Sequence, residues 1–189
     1  MNLKRLTLTF TCIACLLCIA PTVMRGSDIS LTIKQEAEKC AQAIKLEDYA
    51  TVVKYTHKRV VDGMGGKEKM IAIMKQGRAQ MRQGGYDFVD AKIGMASEPR
   101  KIGKWLTSYV PQEIVMKVPN GRLHTESELL AISEDEGTTW VFIDLGPITP
   151  ALFAQLFPEL NGQITLPEKK KPIFHADSAA SRESRKGAG

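Results

Sequence analysis

The stretch RLHTESELLAIS, residues 122–133, sets His124, Glu126 and Glu128 two residues apart. It reads as a β-strand, and a period of two puts the three side chains on one face. An imidazole and two carboxylates together have the chemistry to bind a metal ion or to move protons. Same-face neighbours on a strand stand roughly 6.5–7 Å apart, so three of them converge on one ion only with help from other strands. The same face continues into Leu130 and Ile132, passing from polar to apolar. A solvated strand end beside basic neighbours accounts for the trio without chemistry, with Lys117 as a cross-strand partner. That is how the trio reads here. Contact of His124 with a ligand is the second reading, and metal binding or catalysis by Glu126 the third.

Other chemistry-bearing patterns are sparse. There is no Gly-x-Ser-x-Gly elbow, no H-E-x-x-H and no dinucleotide fingerprint. GMGGKEK imitates a phosphate loop but lacks the G-x-x-x-x-G-K-[ST] pattern; its glycines serve a sharp turn into a helix. His57 and Asp62 flank a break between helical segments, His57 as an exposed loop histidine or as a pocket acid/base. Trp105 and Trp140 read as core or rim aromatics.

Charge argues against a polyanion partner. The formal net charge is +5 and the pI about 9.0. Of 26 basic and 21 acidic side chains, three basic lie in residues 1–26, and six basic and three acidic in residues 168–189. That leaves 17 basic against 18 acidic for the rest, so the folded part is near neutral. No basic groove for nucleic acid is expected.

The two ends read as extensions. MNLKRLTLTFTCIACLLCIA has Lys4 and Arg5 before an apolar run, as in a secretory signal, and the run is too short to span a bilayer. Residues 1–26 are therefore expected to be a signal peptide, cut near Ser27, or an uncut membrane anchor. The expected location is periplasmic or extracellular, with no other membrane contact. Three of the four cysteines lie in this leader, which leaves Cys40 without an intramolecular partner once it is cut; it reads as a buried structural thiol. Residues 166–189 are polar, basic and rich in small residues, and are expected to be disordered.

Between the ends, periodicity places the elements. Ile33, Ala37, Cys40, Ala41 and Ile44 mark a helix over 29–45, capped by Asp28 or Ser30. Asp48 can cap a short second helix. A third runs from about Lys67 to Gln83, with Met70, Ile73, Met74 and Met81 on one face. After Gly85 the period changes to two. Strands are expected over 86–96, 105–118, 122–133 and 138–145, with a turn at 99–104 and a bulge or edge at Pro111. Asn120-Gly121 suits a type I′ hairpin turn. A last short helix is expected over 150–157. Helices followed by long antiparallel strands mean an α+β fold, with a curved sheet of about four strands wrapped around the helices.

KLEDYATVVKYTHKRVVDGMGGKEKM and SELLAISEDEGTTWVFID carry a resemblance. The first resembles the helices that open the cone fold of the nuclear transport factor 2-like superfamily, which includes ketosteroid isomerase and SnoaL-like proteins. The second resembles its closing hairpin. The same stretches are similar to uncharacterised secreted bacterial members. The likeness spans about residues 29–160 and implies a cone or cystatin-like roll over 27–165. It does not decide function, because the superfamily holds enzymes and pure binding domains. The isomerase-like members use a carboxylate base and an oxyanion donor such as Tyr; Asp62, Tyr55 and Tyr109 supply those types without matching a catalytic motif.

Two functional expectations follow. The first is an exported, non-catalytic domain binding a small apolar molecule or a protein, with a homodimer through the sheet as a candidate assembly. Tyr55, Tyr109, His124 and Trp140 are its pocket candidates. The second is a cofactor-free isomerase or lyase with His57, Asp62 or Glu126 as base. Neither needs a cofactor or metal.

Overall fold

A computed structural model of the chain describes residues 26–177. The expected leader, apart from Gly26, and the tail beyond Asp177 lie outside the described residues. Four helices come first: α1 (Gly26–Lys45), α2 (Tyr49–Tyr55), α3 (Lys58–Gly63) and α4 (Lys67–Gln83). Strands β1 (Asp87–Ile93), β2 (Arg100–Ile102), β3 (Trp105–Val118), β4 (Gly121–Ser133) and β5 (Val141–Asp144) follow, then α5 (Pro150–Leu156) and β6 (Ile173–Ala176). The fold is α+β, with the helices followed by a curled antiparallel sheet ordered β1-β3-β4-β5. No helix among the described residues is long and apolar enough to cross a membrane.

Local chemistry explains most element ends. Asp48 caps α2 by accepting from the Thr51 amide at 3.1 Å. Gly65 and Gly66 carry φ of 91° and 94° ahead of α4, a conformation costly for any side chain. The first helix differs from expectation. It begins at Gly26, so Ser30 is an interior residue rather than a cap, and its hydroxyl donates to the Ser97 carbonyl at 3.2 Å. HKRVVDG, ambiguous by pattern, folds as α3, and part of the expected turn before Trp105 is the short strand β2.

The β3–β4 hairpin also departs from the type I′ expectation. Val118 pairs with Gly121, so the two loop residues are Pro119 and Asn120. Proline locks φ near −65°, which a type I′ turn does not permit at its first central position. Asn120 alone takes positive φ, 68°, as in a type II turn. Gly121 answers a different constraint. A Cβ there would collide with the His175 carbonyl and the Phe174 ring of β6.

Pro111 lies in a central strand, not at a bulge or edge. It pairs with Glu128, and its carbonyl accepts from Gly94, just after β1 ends. The N–H that proline lacks would lie on the same side as that carbonyl, one residue beyond the last β1 pair, Ile93 with Gln112, so no pair of the β1 ladder is lost. The bulge lies in β1 instead, between Phe88 and Asp90.

The sheet is packed on both faces. One face sets Val110, Leu129, Ala131 and Phe142 against Ile33 and Ala37 of α1. The other sets Leu130, Ile132 and Ile143 against Phe153 of α5 and Phe157, Leu160 and Ile164 beyond it. The residues after 166 are not simply a loose tail. Pairing starts at Ile173, just after Pro172, which has no N–H to donate, and β6 then runs antiparallel to residues 121–124 of β4.

Because β6 is exposed along its length, losing it costs the rest of the fold little. Gly121→Ala should abolish amide-exchange protection at Ile173–Ala176 while lowering Tm by less than about 4 °C. Retained protection in the variant would mean that β6 does not rest against Gly121.

Candidate functional site

The β3–β4 register decides what each strand residue can reach. His124, Glu126 and Glu128 do share a face, opposite Val115, Glu113 and Pro111. They do not converge. His124 contacts Glu113 through Nδ1, and its ring meets His175 of β6 edge-on at 4.6 Å. Glu126 pairs with Lys170 at 2.6 Å. Hydrogen bonds from His124, first, and from Lys92 hold the Glu113 carboxyl below its ordinary range. No group of side chains among the described residues has metal-binding geometry.

The other candidates are scattered. His57 is not in an exposed loop: it is 3% exposed and caps α3, accepting from the Arg59 amide at 3.1 Å through Nδ1. Its ring packs edge-on against Phe157 at 4.8 Å and Trp105 at 6.0 Å. Burial pushes the imidazole down, against the opposing pull of Glu134 at 3.6 Å. Asp62 is exposed and ion-paired with Lys58. Tyr109 uses its hydroxyl to hold the chain at Thr165, donating to the carbonyl at 3.0 Å and accepting from the amide at 2.9 Å. Trp140 is core, its indole N–H donating to the Gly137 carbonyl at 3.1 Å. Tyr55 lines a cavity.

That cavity, about 480 Å³, lies between the helices and the inner face of the sheet. Cys40, Ala41 and Ile44 of α1 form part of its wall, so the apolar stripe read from α1 packs on the sheet at one end and faces a hollow at the other. Met64 and Met70 line it, whereas Met81 is exposed. Its polar groups are few and mostly engaged. The Tyr55 hydroxyl donates to Glu36 at 2.7 Å, and burial, with Glu36 adding, pushes it up to about 12. Thr56 donates to the Val52 carbonyl at 2.9 Å. Burial raises the Cys40 thiol to about 11, so it stays protonated at neutral pH and is no nucleophile.

The remaining polar groups are Gln112 of β3 and Asp144, at the end of β5. Asp144 Oδ1 accepts from the Gly146 amide at 3.0 Å and from Ser127 Oγ at 3.4 Å. Gln112, 8% exposed, donates to Ser127 Oγ at 2.8 Å. Burial raises the Asp144 carboxyl, and hydrogen bonds from Gly146, Ser127 and Gln112 oppose the shift. A second hollow, about 650 Å³, adjoins where residues 125–128 of β4 lie between the stretches paired to β5 and to β6. Its wall holds Glu126, Glu128 and Pro167–Lys170, and it shares Ile93, Gln112, Ile114, Asp144 and Pro147 with the inner cavity.

Sequence reasoning missed Asp144, Gln112 and Ser127. The signal that could have found them was parity. Ser127 lies in the register of Leu129, on the helix-facing side, and Asp144 in that of Phe142. No protein-family model matches the chain, and no curated protein is significantly similar to it.

The raised Asp144 carboxyl has a definite sign. Folding favours its protonated form, so its contribution to stability is fully present below its ordinary 3.8 and is lost as pH rises through the higher folded value. Asp144→Asn removes this dependence. Denaturant unfolding at stepped pH should show the variant gaining stability relative to the parent as pH rises from about 4 to 7. A flat difference would place the carboxyl in water.

Proposed function

We propose that this chain is an exported domain of the cone type, akin to the nuclear transport factor 2-like proteins, that binds a small, largely apolar molecule. The observation carrying this reading is an apolar cavity of about 480 Å³ with one carboxylate, Asp144, in its wall. Most ligand pockets have this form, an apolar lining with a few placed polar groups. Helices preceding a curled sheet, with the hollow between them, support the cone architecture. The near-neutral charge of residues 27–167 supports an uncharged or weakly charged ligand body.

One observation favours a second reading. A carboxylate raised by burial, beside hydrogen-bond donors and facing an apolar space, has the properties of a general base for proton transfer next to a carbonyl. In that reading the base of the isomerase or lyase is Asp144. Of the earlier base candidates, Asp62 is ion-paired at the surface, His57 is buried against Trp105 and Phe157, and Glu126 lines only the outer hollow.

N-Phenyl-1-naphthylamine, a neutral apolar dye, tests the cavity. It should bind once per chain with enhanced emission, and Ala41→Phe should weaken it about tenfold by filling the space. No emission change, or equal affinity in a folded variant, would remove the binding reading. Proton exchange of 2-tetralone in D2O tests the second reading: exchange above buffer that disappears in Asp144→Asn is the expected result, and exchange no faster than in buffer rejects it.

A further inference from the structure

The two hollows differ in character, and their shared wall says what sort of molecule fits. The inner cavity offers apolar surface and, among its polar groups, little that is free. Tyr55 and Thr56 donate their hydroxyl protons to Glu36 and to the Val52 carbonyl, and Gln112 turns an amide proton to Ser127. The one charged group in its lining is an acceptor, the Asp144 carboxylate. Among the described residues no lysine or arginine pairs with it; its hydrogen-bond partners are the Gly146 amide and neutral side chains. A half-buried carboxylate without a counter-charge is an uncommon arrangement, since charges withdrawn from water are ordinarily paired.

The outer hollow adds to the same field. Lys92 is taken by Glu113 at 2.9 Å and Lys170 by Glu126 at 2.6 Å. Its other charged side chains are Glu128, Glu168 and Lys169, together with Asp144 itself. The approach to Asp144 therefore carries an acidic excess. An anionic head group would meet like charge at both positions, whereas a cation would gain at both.

We propose that the ligand is an apolar amine, its hydrocarbon body in the inner cavity and its protonated nitrogen on Asp144 at the boundary of the two hollows. This rests on the cavity-binding reading and deepens it by naming the head group. An ammonium supplies the counter-charge that the protein does not, and it donates to an acceptor that a carbonyl or carboxylate ligand cannot use. Ser127, Gln112 and the Gly146 amide act as positioning groups, because they bind or support Asp144 and so aim its free lone pairs.

Three ligands that differ only in head group provide the test: 4-phenylbutylamine, 4-phenylbutan-1-ol and 5-phenylvalerate, titrated calorimetrically into the full chain at pH 7.5. The amine should bind about tenfold more tightly than the alcohol, as a charge-assisted hydrogen bond exceeds a neutral one, and the acid should bind most weakly. Asp144→Asn should bring the amine-to-alcohol ratio close to one. Alcohol or acid binding as well as the amine would overturn the amine assignment and leave the cavity reading standing. Binding of none of the three, together with no response to the naphthylamine dye, would overturn both. Should the variant fail to fold, the ranking of the three ligands on the parent protein decides the matter. An unchanged ratio in a folded Asp144→Asn would also overturn the proposal, since Asp144 would then not be the contact.

Discussion

The register of the β3–β4 hairpin governs the rest of this structure. All thirteen residues of β4 pair with residues 106–118 of β3, and the pairing of Val118 with Gly121 sets every partner that follows. A slip of one residue would move every side chain of a strand to the other face. It would turn Glu126 and Glu128 to the face that packs on α1 and carry Leu129 and Ser127 to the opposite one. Two residues hold the turn in place. Pro119 excludes the tighter type I′ geometry, and Asn120 accepts the positive φ that the remaining geometry requires. The apolar positions reinforce it, because Leu129 and Leu130 are buried on opposite faces and neither tolerates exchange with a charged neighbour.

Because both faces are packed, each carries its own core, and the two are tied together at the α2–α3 junction. Thr56 bridges to Phe142, and the His57 amide donates to the Phe142 carbonyl at 3.2 Å, so the chain between the helices continues the edge of the sheet. Arg59 extends this tie. It forms two 2.7 Å hydrogen bonds to Glu159, donates to the Leu156 carbonyl at 2.8 Å, and lies over the Trp105 ring at 5.1 Å. The fork of the guanidinium suits this set of partners better than a lysine would. The junction thereby holds α2 and α3 over the sheet while the space between them stays unfilled. Packing ordinarily closes such spaces, and here about 480 Å³ stays open between the helices and the sheet.

Electrostatics separates the outer surface from the site. The ion pairs of Lys58 with Asp62 and Lys170 with Glu126 are exposed, and such pairs contribute little to stability. Asp144 is different in kind. Desolvation dominates its environment, and the surrounding donors offset the cost only in part. Exposed acids with good partners keep their carboxylates easily, as Glu159 does beside Arg59, held down to about 2. A carboxylate that the fold strains to ionise is the more informative one.

The sequence by itself determined the elements that depend on near neighbours. The apolar period predicts α4 over Lys67–Gln83, and alternation predicts β3 over Trp105–Val118; both are found as expected. Asp48 is a legible cap because its partner, Thr51, is three residues away. The α+β order follows from the change of period after Gly85, and the shared face of His124, Glu126 and Glu128 follows from the strand period. Tertiary structure decided everything that depends on distant partners. His57 looked exposed because its neighbours are polar, yet Trp105 and Phe157 come from far along the chain to bury it. Residues after 166 looked unstructured by composition, yet β4 offers a free edge that pairs with Ile173–Ala176. Asp144 read as the polar end of VFID, a residue any strand might place in water. It borders an apolar space only because β4, β5 and helices that begin their lining at Ala37, far back in the sequence, come together beside it. Local propensity acts over a few residues, whereas desolvation is a property of the whole assembly that removes the water.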